Sequence, residues 1–266
     1  MIVMASRQTG ALRLRAALFD FDGTISTLRT GWETVMRSLM VEVLTDGDSG
    51  GSELVLDVDR YIDESTGIQT IYQMEWLVAA HERCLGRPAP LDAWAYKREY
   101  TTRLKHYIHD RVVEVEQRDK PPEAYMIRGA TAFLQELCDR GIVLFLASGT
   151  DHPDVLREAT ALRVAEFFAD IQGAPIDKVR CSKEEVIRTI LQERGFQGQE
   201  LLIVGDGKVE IGLGVQYGAW TLGVASDERA REGFDPMKIN RLRTAGAHAI
   251  VGDFGETEAL AEWICY

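Results

Sequence analysis

Two aspartates stand two positions apart near the beginning of the chain, in the stretch Asp20-Phe21-Asp22-Gly23-Thr24. They lie at the end of an apolar run, Ala16–Phe21, that predicts a buried β-strand. Because the chain turns where a strand ends, both carboxylates can reach one site. One could attack a phosphorus atom while binding a metal ion, and the other could protonate the leaving oxygen and then activate water. The alternative is an ordinary solvated turn, since Asp and Gly are common in turns.

A second acidic pair follows the apolar run Leu201–Val204, in the sequence Gly205-Asp206-Gly207-Lys208-Val209-Glu210. Asp206, at the end of a predicted strand, is well placed as a hard oxygen ligand for a metal ion. Glu210 stands about one helical turn further on and could act on the same ion through a neighbouring ligand or a water molecule. Acidic turns after strands are frequent, so this pair by itself does not define a site.

A hydroxyl-bearing segment, Ala147-Ser148-Gly149-Thr150-Asp151, follows the apolar run Ile142–Ala147 and precedes a predicted helix. A hydroxyl together with the free N–H groups of a helix N-terminus forms an anion site suited to phosphate. The alternative is an ordinary helix cap, because Ser, Thr and Asp are the preferred capping residues.

A lysine that could bind phosphate is Lys183, at the predicted start of a helix. A single lysine is usually a solvated surface charge, and Lys178 and Lys208 are rivals for the same role. The sequence pattern alone does not choose among the three.

The elements that must position these residues form an alternating pattern. Short apolar runs that end in Gly, Asp or Ser are each followed by a helix-like segment, which is typical of buried parallel strands in an α/β fold. The runs are Ala16–Phe21, Ile142–Ala147, Leu201–Val204 and Trp220–Val224. We therefore predict a doubly wound parallel sheet, with the candidate residues at the carboxyl ends of its strands, where such sheets bind ligands.

The pattern changes between the first two predicted strands, where no strand-like run stands out. This part of the chain is predicted to form four amphipathic helices, Trp32–Leu44, Leu54–Glu64, Thr66–Cys84 and Leu91–Gln117. It is too long for a loop. We predict a core formed by residues 1–28 and 125–266 and a helical domain over residues 29–124.

The composition limits the partners. The 266 residues carry a formal net charge of −12, so nucleic acid and anionic membrane surfaces are poor partners. A small anionic substrate would need local binding charge from a metal ion, a lysine or backbone N–H groups. The four cysteines form no CxxC pair, and no secretory signal or membrane-spanning run is present, which favours a cytoplasmic protein. The sequence leaves open whether it is a monomer or a homodimer.

Taken in order, the four motifs resemble those of the haloacid dehalogenase superfamily, in its phosphatase branch. They are DxDGT at Asp20–Thr24, the Ser148 motif, Lys183, and GDxxxE with Asp206 and Glu210. The similarity extends from about Leu14 to Phe254. The resemblance implies a Rossmann-like core, with the helical domain inserted after the first motif as a cap.

The resemblance also implies roles for the motif residues. Asp20 would be the nucleophile, and Asp22 the general acid and base. The implied phosphate-binding residues are Thr24, Ser148, Gly149 and Lys183. The implied ligands of a Mg²⁺ cofactor are the Asp20 carboxylate, the Asp22 backbone carbonyl and Asp206, with Glu210 tuning the ion. The implied enzyme is a phosphoric monoester hydrolase.

The expected substrate is a small phosphorylated metabolite, either a sugar phosphate or a nucleoside monophosphate. Candidates for contacts to it are Arg29, Trp32 and Gln69 in the predicted cap, and His152 beside the Ser148 motif. For Trp32 a simple packing role is the alternative, since it fits the apolar face of its helix.

Two other functions remain open from the sequence. A phosphoglucomutase-like isomerase would share the DxD motif and a cap, but such mutases carry an acid/base histidine early in the cap, and here the first histidine is His81. An inactive phosphate-binding protein would be expected to lose Asp20, Asp22 or Asp206, and all three are present. A dehalogenase or phosphonatase would not need Asp22.

Overall fold

The structure is a computed structural model that describes residues 2–4, 13–47, 51–175 and 183–265. The described residues form two compact units. The larger unit consists of the described residues within Met1–Thr30, Arg111–Ile176 and Arg180–Tyr266, and the smaller one of those within Gly31–Asp110.

The second boundary between the units differs from the sequence prediction. The prediction used the breakers around Pro121 and Pro122, whereas the structure divides the chain after Asp110, inside a long helix. The residues beyond that point belong with the larger unit because Arg111 donates hydrogen bonds to the carbonyl oxygens of Leu28 and Thr30. A boundary inside a helix leaves no local signal in the sequence.

The strands of the larger unit form a mostly parallel sheet. In chain order the described strands are β1 (Ile2–Met4), β2 (Ala16–Phe19), β3 (Val143–Asp151), β4 (Phe168–Ala174), β5 (Leu201–Gly205), β6 (Trp220–Val224), β7 (Ser226–Asp227), β8 (Glu232–Phe234) and β9 (Ala249–Val251). Seven of them form one sheet in the order β1-β9-β6-β5-β2-β3-β4, with β1 antiparallel and the others parallel, while β7 and β8 form a separate hairpin.

Helices cover both faces of this sheet. After the long helix that contains the boundary between the units, the helices of the larger unit are α5 (Ala130–Asp139), α6 (His152–Ala161), α7 (Lys183–Arg194), α8 (Lys208–Gln216), α9 (Pro236–Thr244) and α10 (Thr257–Cys265). On one face Leu18 packs with Ile187 and Ile190 of α7. On the other, the ring of Phe19 meets the ring of Phe133 in α5. Successive residues of β2 thus enter opposite cores, and the predicted doubly wound α/β fold is confirmed.

The regular secondary structure of the smaller unit, in its described residues, is helical. It contains α1 (Trp32–Leu44), α2 (Ser52–Glu64), α3 (Thr70–Leu85) and the first part of α4 (Ala93–Glu116). Its core is apolar, with Met36, Met40 and Leu77 fully buried, and the rings of Tyr61 and Trp76 stack 3.8 Å apart. In the part of the chain that the structure describes, none of the helices has the length and apolar composition that crossing a membrane requires.

Three strands of the sheet were not predicted. β9 is only three residues long, and β1 lies at the antiparallel edge. β4 is the opposite edge strand, and Ala169 and Asp170 in it are exposed, so it does not form a continuous apolar run. The exposed residues of β4 interrupt the apolar pattern that reveals central strands.

The order of the strands brings the candidate residues together. β2 lies between β3 and β5, and Phe19 pairs with Leu146 on one side and Val204 on the other. The chain moves from β2 to β3 and β4 in one direction and from β5 to β6 and β9 in the other, so β2 and β5 mark the topological switch point. Ligands bind at such a point, beyond the carboxyl ends of the strands.

Candidate active site

A tight turn follows the two aspartates at the end of β2. The Asp20 N–H donates to the carbonyl oxygen of Val204 at 2.9 Å, so Asp20 still continues the sheet. Beyond it the carbonyl oxygen of Phe21 accepts hydrogen bonds from the N–H groups of Ile25 and Ser26. Gly23 adopts a φ of 73°, and a Cβ there would lie 2.5 Å from the Asp206 carboxylate. Only glycine lets the turn approach Asp206 so closely.

Asp20 lies in a buried ion-pair cluster. The Lys183 Nζ is 3.0 Å from Asp20 Oδ1 and 2.9 Å from Glu210 Oε2. The other oxygen of Glu210 accepts a hydrogen bond of 2.5 Å from the Gly207 N–H. Glu210 therefore holds Lys183 beside Asp20, and Lys183, rather than Lys208, is the lysine at this position among the described residues. Lys178 lies outside the residues that the structure describes.

Burial and the charges in this cluster shift the pKa values of its side chains. Burial raises the pKa of Asp20 well above its usual value, and the neighbouring carboxylates of Glu210 and Asp206 add to burial, while Lys183 opposes it. Burial would lower the pKa of Lys183, but Asp20 and Glu210 outweigh burial and raise that pKa. The Lys183 ammonium group therefore stays charged. The carboxylates of this cluster together carry more negative charge than the positive charge of Lys183.

Asp22 has a different set of neighbours. Its Oδ2 accepts a hydrogen bond of 2.8 Å from the Thr150 hydroxyl and a longer one of 3.4 Å from the Ser148 hydroxyl. The Ser148 Oγ accepts the Thr150 N–H at 3.0 Å. These residues belong to β3, because the strand continues to Asp151 and α6 begins only at His152. The strand therefore extends beyond its predicted end at Ala147, and Thr150 joins the site.

Arg29 and Glu158 form a buried pair beside Asp22. Two nitrogens of the Arg29 guanidinium bind Glu158, at 2.6 Å and 3.0 Å, and its Nε lies 3.8 Å from Asp22 Oδ1. Burial raises the pKa of Asp22 to about 6, against the opposing charge of Arg29. A carboxyl group with this pKa can donate or accept a proton near neutral pH. Arg29, predicted to contact substrate, is engaged by Glu158.

We expect that Glu158→Ala lowers the free energy of unfolding by about 3–5 kcal/mol, because it leaves the buried Arg29 charge without its partner. Both side chains are at most 10% exposed. Urea unfolding monitored by circular dichroism measures the change.

The matched control is Glu136→Ala, which removes an exposed pair with Arg140 one helical turn away. Exposed pairs of this kind contribute about 0–1 kcal/mol. Similar losses in Glu158→Ala and Glu136→Ala would contradict a special role for the buried pair.

Lys238 and Glu228 complete the site and were not predicted from the sequence. The Lys238 Nζ lies 2.7 Å from Asp206 Oδ2 and 2.7 Å from Glu228 Oε1. The other oxygen of Glu228 accepts a hydrogen bond of 3.0 Å from the Thr30 hydroxyl. Burial would lower the pKa of Lys238, but the two carboxylates raise it above its usual value. The tract Gly223–Glu228 carries a family resemblance, which is the only sequence signal for Glu228.

Three carboxylates of the site could hold a divalent cation. Asp20, Asp206 and Glu210 are buried, and each offers one oxygen that lies within 4.8 Å of the others. Lys183 uses Oδ1 of Asp20 and Lys238 uses Oδ2 of Asp206, so the second oxygen of each stays outside these ion pairs. Carboxylate oxygens are the ligands that Mg²⁺ prefers, and the donor set therefore fits this ion.

Two further polar atoms point to a bound group at the same place. The Thr24 Oγ1 and the Asp22 Oδ1 are buried, and neither has a hydrogen-bond partner among the described residues. Buried polar atoms are nearly always satisfied in folded proteins, so an unsatisfied pair beside Asp20 is consistent with a site for a polar ligand.

The other predicted site residues are distributed over both units. Gly149 lies in β3 next to Ser148, and His152 is exposed at the first position of α6. Trp32 begins α1 and Gln69 precedes α3, and both belong to the smaller unit. Their contacts to a substrate stay predictions.

Comparison with known proteins identifies the family. The family model of the haloacid dehalogenase-like hydrolases matches residues 14–218 of the chain, which confirms the resemblance of the motifs. A search of curated proteins gave no match.

Several solved structures share the fold over most of the chain. A predicted phosphatase from Clostridium acetobutylicum is 18% identical, with 94% of this chain and 99% of that chain covered and a TM-score of 0.59. A predicted phosphoglycolate phosphatase from Haemophilus somnus is 14% identical, with 94% and 99% covered and a TM-score of 0.64. A β-phosphoglucomutase from Clostridium difficile is 13% identical, with 94% and 97% covered and a TM-score of 0.61.

At such low identity these structures establish the fold and not the reaction. The family model covers more than half of the chain, and Asp20 lies beside the motif lysine, Lys183, and the motif acids Asp206 and Glu210. The chain belongs to the haloacid dehalogenase-like hydrolases.

Proposed function

We propose that the protein is a Mg²⁺-dependent phosphatase that hydrolyses a small phosphate monoester through a phosphoryl group on Asp20. The observation that carries this proposal is the pairing of two different carboxyl groups at one turn. Asp20 is ion-paired to Lys183, while Asp22 is hydrogen-bonded by Thr150. The surroundings of Asp20, beside a cation that can bind phosphate, suit a nucleophile. The surroundings of Asp22 suit a general acid and base.

In the proposed first step, a carboxylate oxygen of Asp20 attacks the phosphorus atom of the ester. The bond between phosphorus and the ester oxygen breaks, and Asp22 donates its proton to the departing oxygen. The alcohol leaves, and the phosphoryl group remains on Asp20. Lys183, held by Glu210, is available to bind the phosphoryl oxygens.

In the second step a water molecule attacks the phosphorus atom and Asp22 accepts a proton from it. The bond between phosphorus and the Asp20 oxygen breaks, which releases inorganic phosphate and restores the Asp20 carboxylate. We propose that the hydroxyls of Thr24 and Ser148 and the Gly149 N–H contribute to phosphate binding, since hydroxyl and N–H donors suit its oxygens.

We propose that a bound Mg²⁺ is held by Asp20, Asp206 and the backbone carbonyl of Asp22, and that it offsets negative charge as the phosphate approaches. Glu210 would act on this ion indirectly, because its oxygens are occupied by Lys183 and by the Gly207 N–H. Without a cation, a dianionic ester would meet the excess of carboxylates around Asp20.

The substrate is proposed to be a sugar phosphate or a nucleoside monophosphate. An isomerase of the phosphoglucomutase kind is less well supported, since the first histidine of the chain is His81. That side chain is 1% exposed within the smaller unit, and its Nδ1 lies 3.2 Å from the Arg87 carbonyl oxygen. Incubation with a hexose 1-phosphate distinguishes the two reactions, because a mutase returns the 6-phosphate whereas a phosphatase releases inorganic phosphate.

The proposal predicts that removal of divalent metal with EDTA lowers p-nitrophenyl phosphate turnover by about 10³-fold, since a metal ion supplies several kcal/mol of charge stabilisation. Addition of excess Mg²⁺ should restore the activity. Ca²⁺ should inhibit, because its looser coordination would misplace Asp20. Release of p-nitrophenolate, followed by absorbance, measures the effect.

Two controls make this test sharp. Melting temperature in EDTA shows whether the chain is still folded, so that loss of activity is not loss of structure. Full turnover by folded protein in metal-free buffer would refute the metal assignment, and no turnover under any metal would favour an inactive phosphate-binding protein.

A further inference from the structure

We propose that Lys238 and Glu228 are positioning residues of the metal site, which hold Asp206 with one oxygen turned to the cation and so set the preference for Mg²⁺. This inference rests on the proposed metal site and assigns a role to α9, which carries none of the family motifs found in the sequence. It is argued from contacts within the larger unit.

The first step of the argument is the geometry of Asp206. Its Oδ2 is bound by Lys238 Nζ at 2.7 Å, and the Arg241 Nη2 lies 3.4 Å from its carbonyl oxygen. Both cations come from one face of α9. Asp206 is therefore fixed at its side chain and its backbone, and only Oδ1 remains outside the ion pair for a metal ion.

The second step is that Lys238 is itself fixed. The Asp235 carboxylate accepts the N–H groups of Met237 and Lys238 and so caps the beginning of α9. One turn further on, Leu242 is fully buried in a cluster with Ile211 of α8. The helix cannot shift without breaking the cap or the cluster, so Lys238 is held firmly.

Glu228 is the second acceptor that completes this arrangement. It binds Lys238 through Oε1 and accepts the Thr30 hydroxyl through Oε2. A Cβ at Gly23 would meet both Asp206 Oδ2 at 2.5 Å and Glu228 Oε1 at 3.0 Å. The two carboxylates that Lys238 connects, Asp206 and Glu228, therefore pack directly against Gly23, the residue that follows the two motif aspartates.

The charges of the two sets of ion pairs support the same conclusion. Lys183 is paired with Asp20 and Glu210, and Lys238 with Asp206 and Glu228. Four carboxylates face two ammonium groups, which leaves two negative charges, and one divalent cation would balance them. Lys238 compensates Glu228, so the added carboxylate does not become an extra ligand.

The test is the ratio of Mg²⁺ to Ca²⁺ affinity, measured by isothermal titration calorimetry of each metal into the full chain. Lys238→Met removes one positive charge, which strengthens attraction for both cations, so the ratio isolates the change in geometry. It also frees Glu228 and the second oxygen of Asp206, and a flexible, oxygen-rich site suits Ca²⁺ rather than Mg²⁺.

We expect Lys238→Met to shift the ratio toward Ca²⁺ by about tenfold or more, in the range typical for residues that support metal ligands. Lys238→Arg, which keeps the charge and the donors, should lie closer to the wild type. Arg243→Met is the matched control, since Arg243 is an exposed cation on the same helix, and it should leave the ratio unchanged.

An unchanged ratio in folded Lys238→Met would overturn the inference while leaving the proposed phosphatase intact. If the wild-type chain binds no Mg²⁺, the metal assignment fails and the inference fails with it. Circular dichroism in EDTA shows whether each variant folds. Should Lys238→Met not fold, Glu228→Gln decides, because it removes the second acceptor of Lys238; a shift in the same direction is expected, and an unchanged ratio again overturns the inference.

Discussion

Asp20→Asn is expected to abolish turnover, with a loss on the order of 10⁴–10⁶, the range seen when a hydrolase loses one residue of its catalytic triad. An amide does not attack phosphorus usefully, and it binds a divalent cation poorly. Asp20 also forms an ion pair with Lys183. A neutral side chain in its place would hold Lys183, the proposed phosphate-binding cation, less firmly. Steady-state kinetics on p-nitrophenyl phosphate measures the loss.

BeF₃⁻, which mimics a phosphoryl group on a carboxylate, provides a second measurement. It should raise the melting temperature of the wild-type protein in the presence of Mg²⁺ and have no effect on Asp20→Asn. Asp170→Asn is the matched control, because Asp170 is an exposed aspartate of β4 that accepts a hydrogen bond from Gln172, two positions along the same strand. If Asp20→Asn kept a substantial part of the wild-type rate, the nucleophile would have to be sought elsewhere.

Asp22→Asn is expected to lower turnover by about 10²–10⁴, the usual contribution of general acid and base catalysis. The loss should depend on the leaving group. An alkyl ester such as a sugar phosphate needs a proton on its departing oxygen, whereas p-nitrophenolate leaves with little help. Kinetics of the variant on both kinds of ester measures this difference.

The same variant should retain its metal, since the proposed ligand at Asp22 is the backbone carbonyl and not the side chain. Mg²⁺ titration of Asp22→Asn by calorimetry checks this point. A phosphoryl group on Asp20 is also expected to persist longer, because the base that activates water is missing. Equal losses for good and poor leaving groups would remove Asp22 from the acid role.

Much of the core could be predicted from the sequence because its central strands are buried on both faces. The four predicted strands correspond to β2, β3, β5 and β6, and helices predicted at Trp32–Leu44 and Leu91–Gln117 match α1 and α4 closely. Continuous apolar runs and 3.6-residue periodicity are local signals that need no partner. The edge strand β4 gives no such run, because Ala169 and Asp170 in it are exposed.

The candidate site was predictable to the extent that its residues follow strands. Asp20, Ser148 and Asp206 are set by β2, β3 and β5, which are neighbours in the sheet, so a doubly wound order already predicts that they meet. Lys183 was one of three candidate lysines, and its ion pair with Asp20 now distinguishes it.

The amino-acid sequence by itself therefore determined the α/β class and the family, because both depend on short-range patterns of apolar and polar residues. Only the tertiary structure decided the partners: Glu158 for Arg29, Thr150 for Asp22 and Lys238 for Asp206, which lie 129, 128 and 32 positions apart. The physical reason is that a charged side chain has the same local pattern whether it faces solvent or a buried partner. Its partner depends on which strands and helices become neighbours, and that is settled only when the sheet and its covering helices pack.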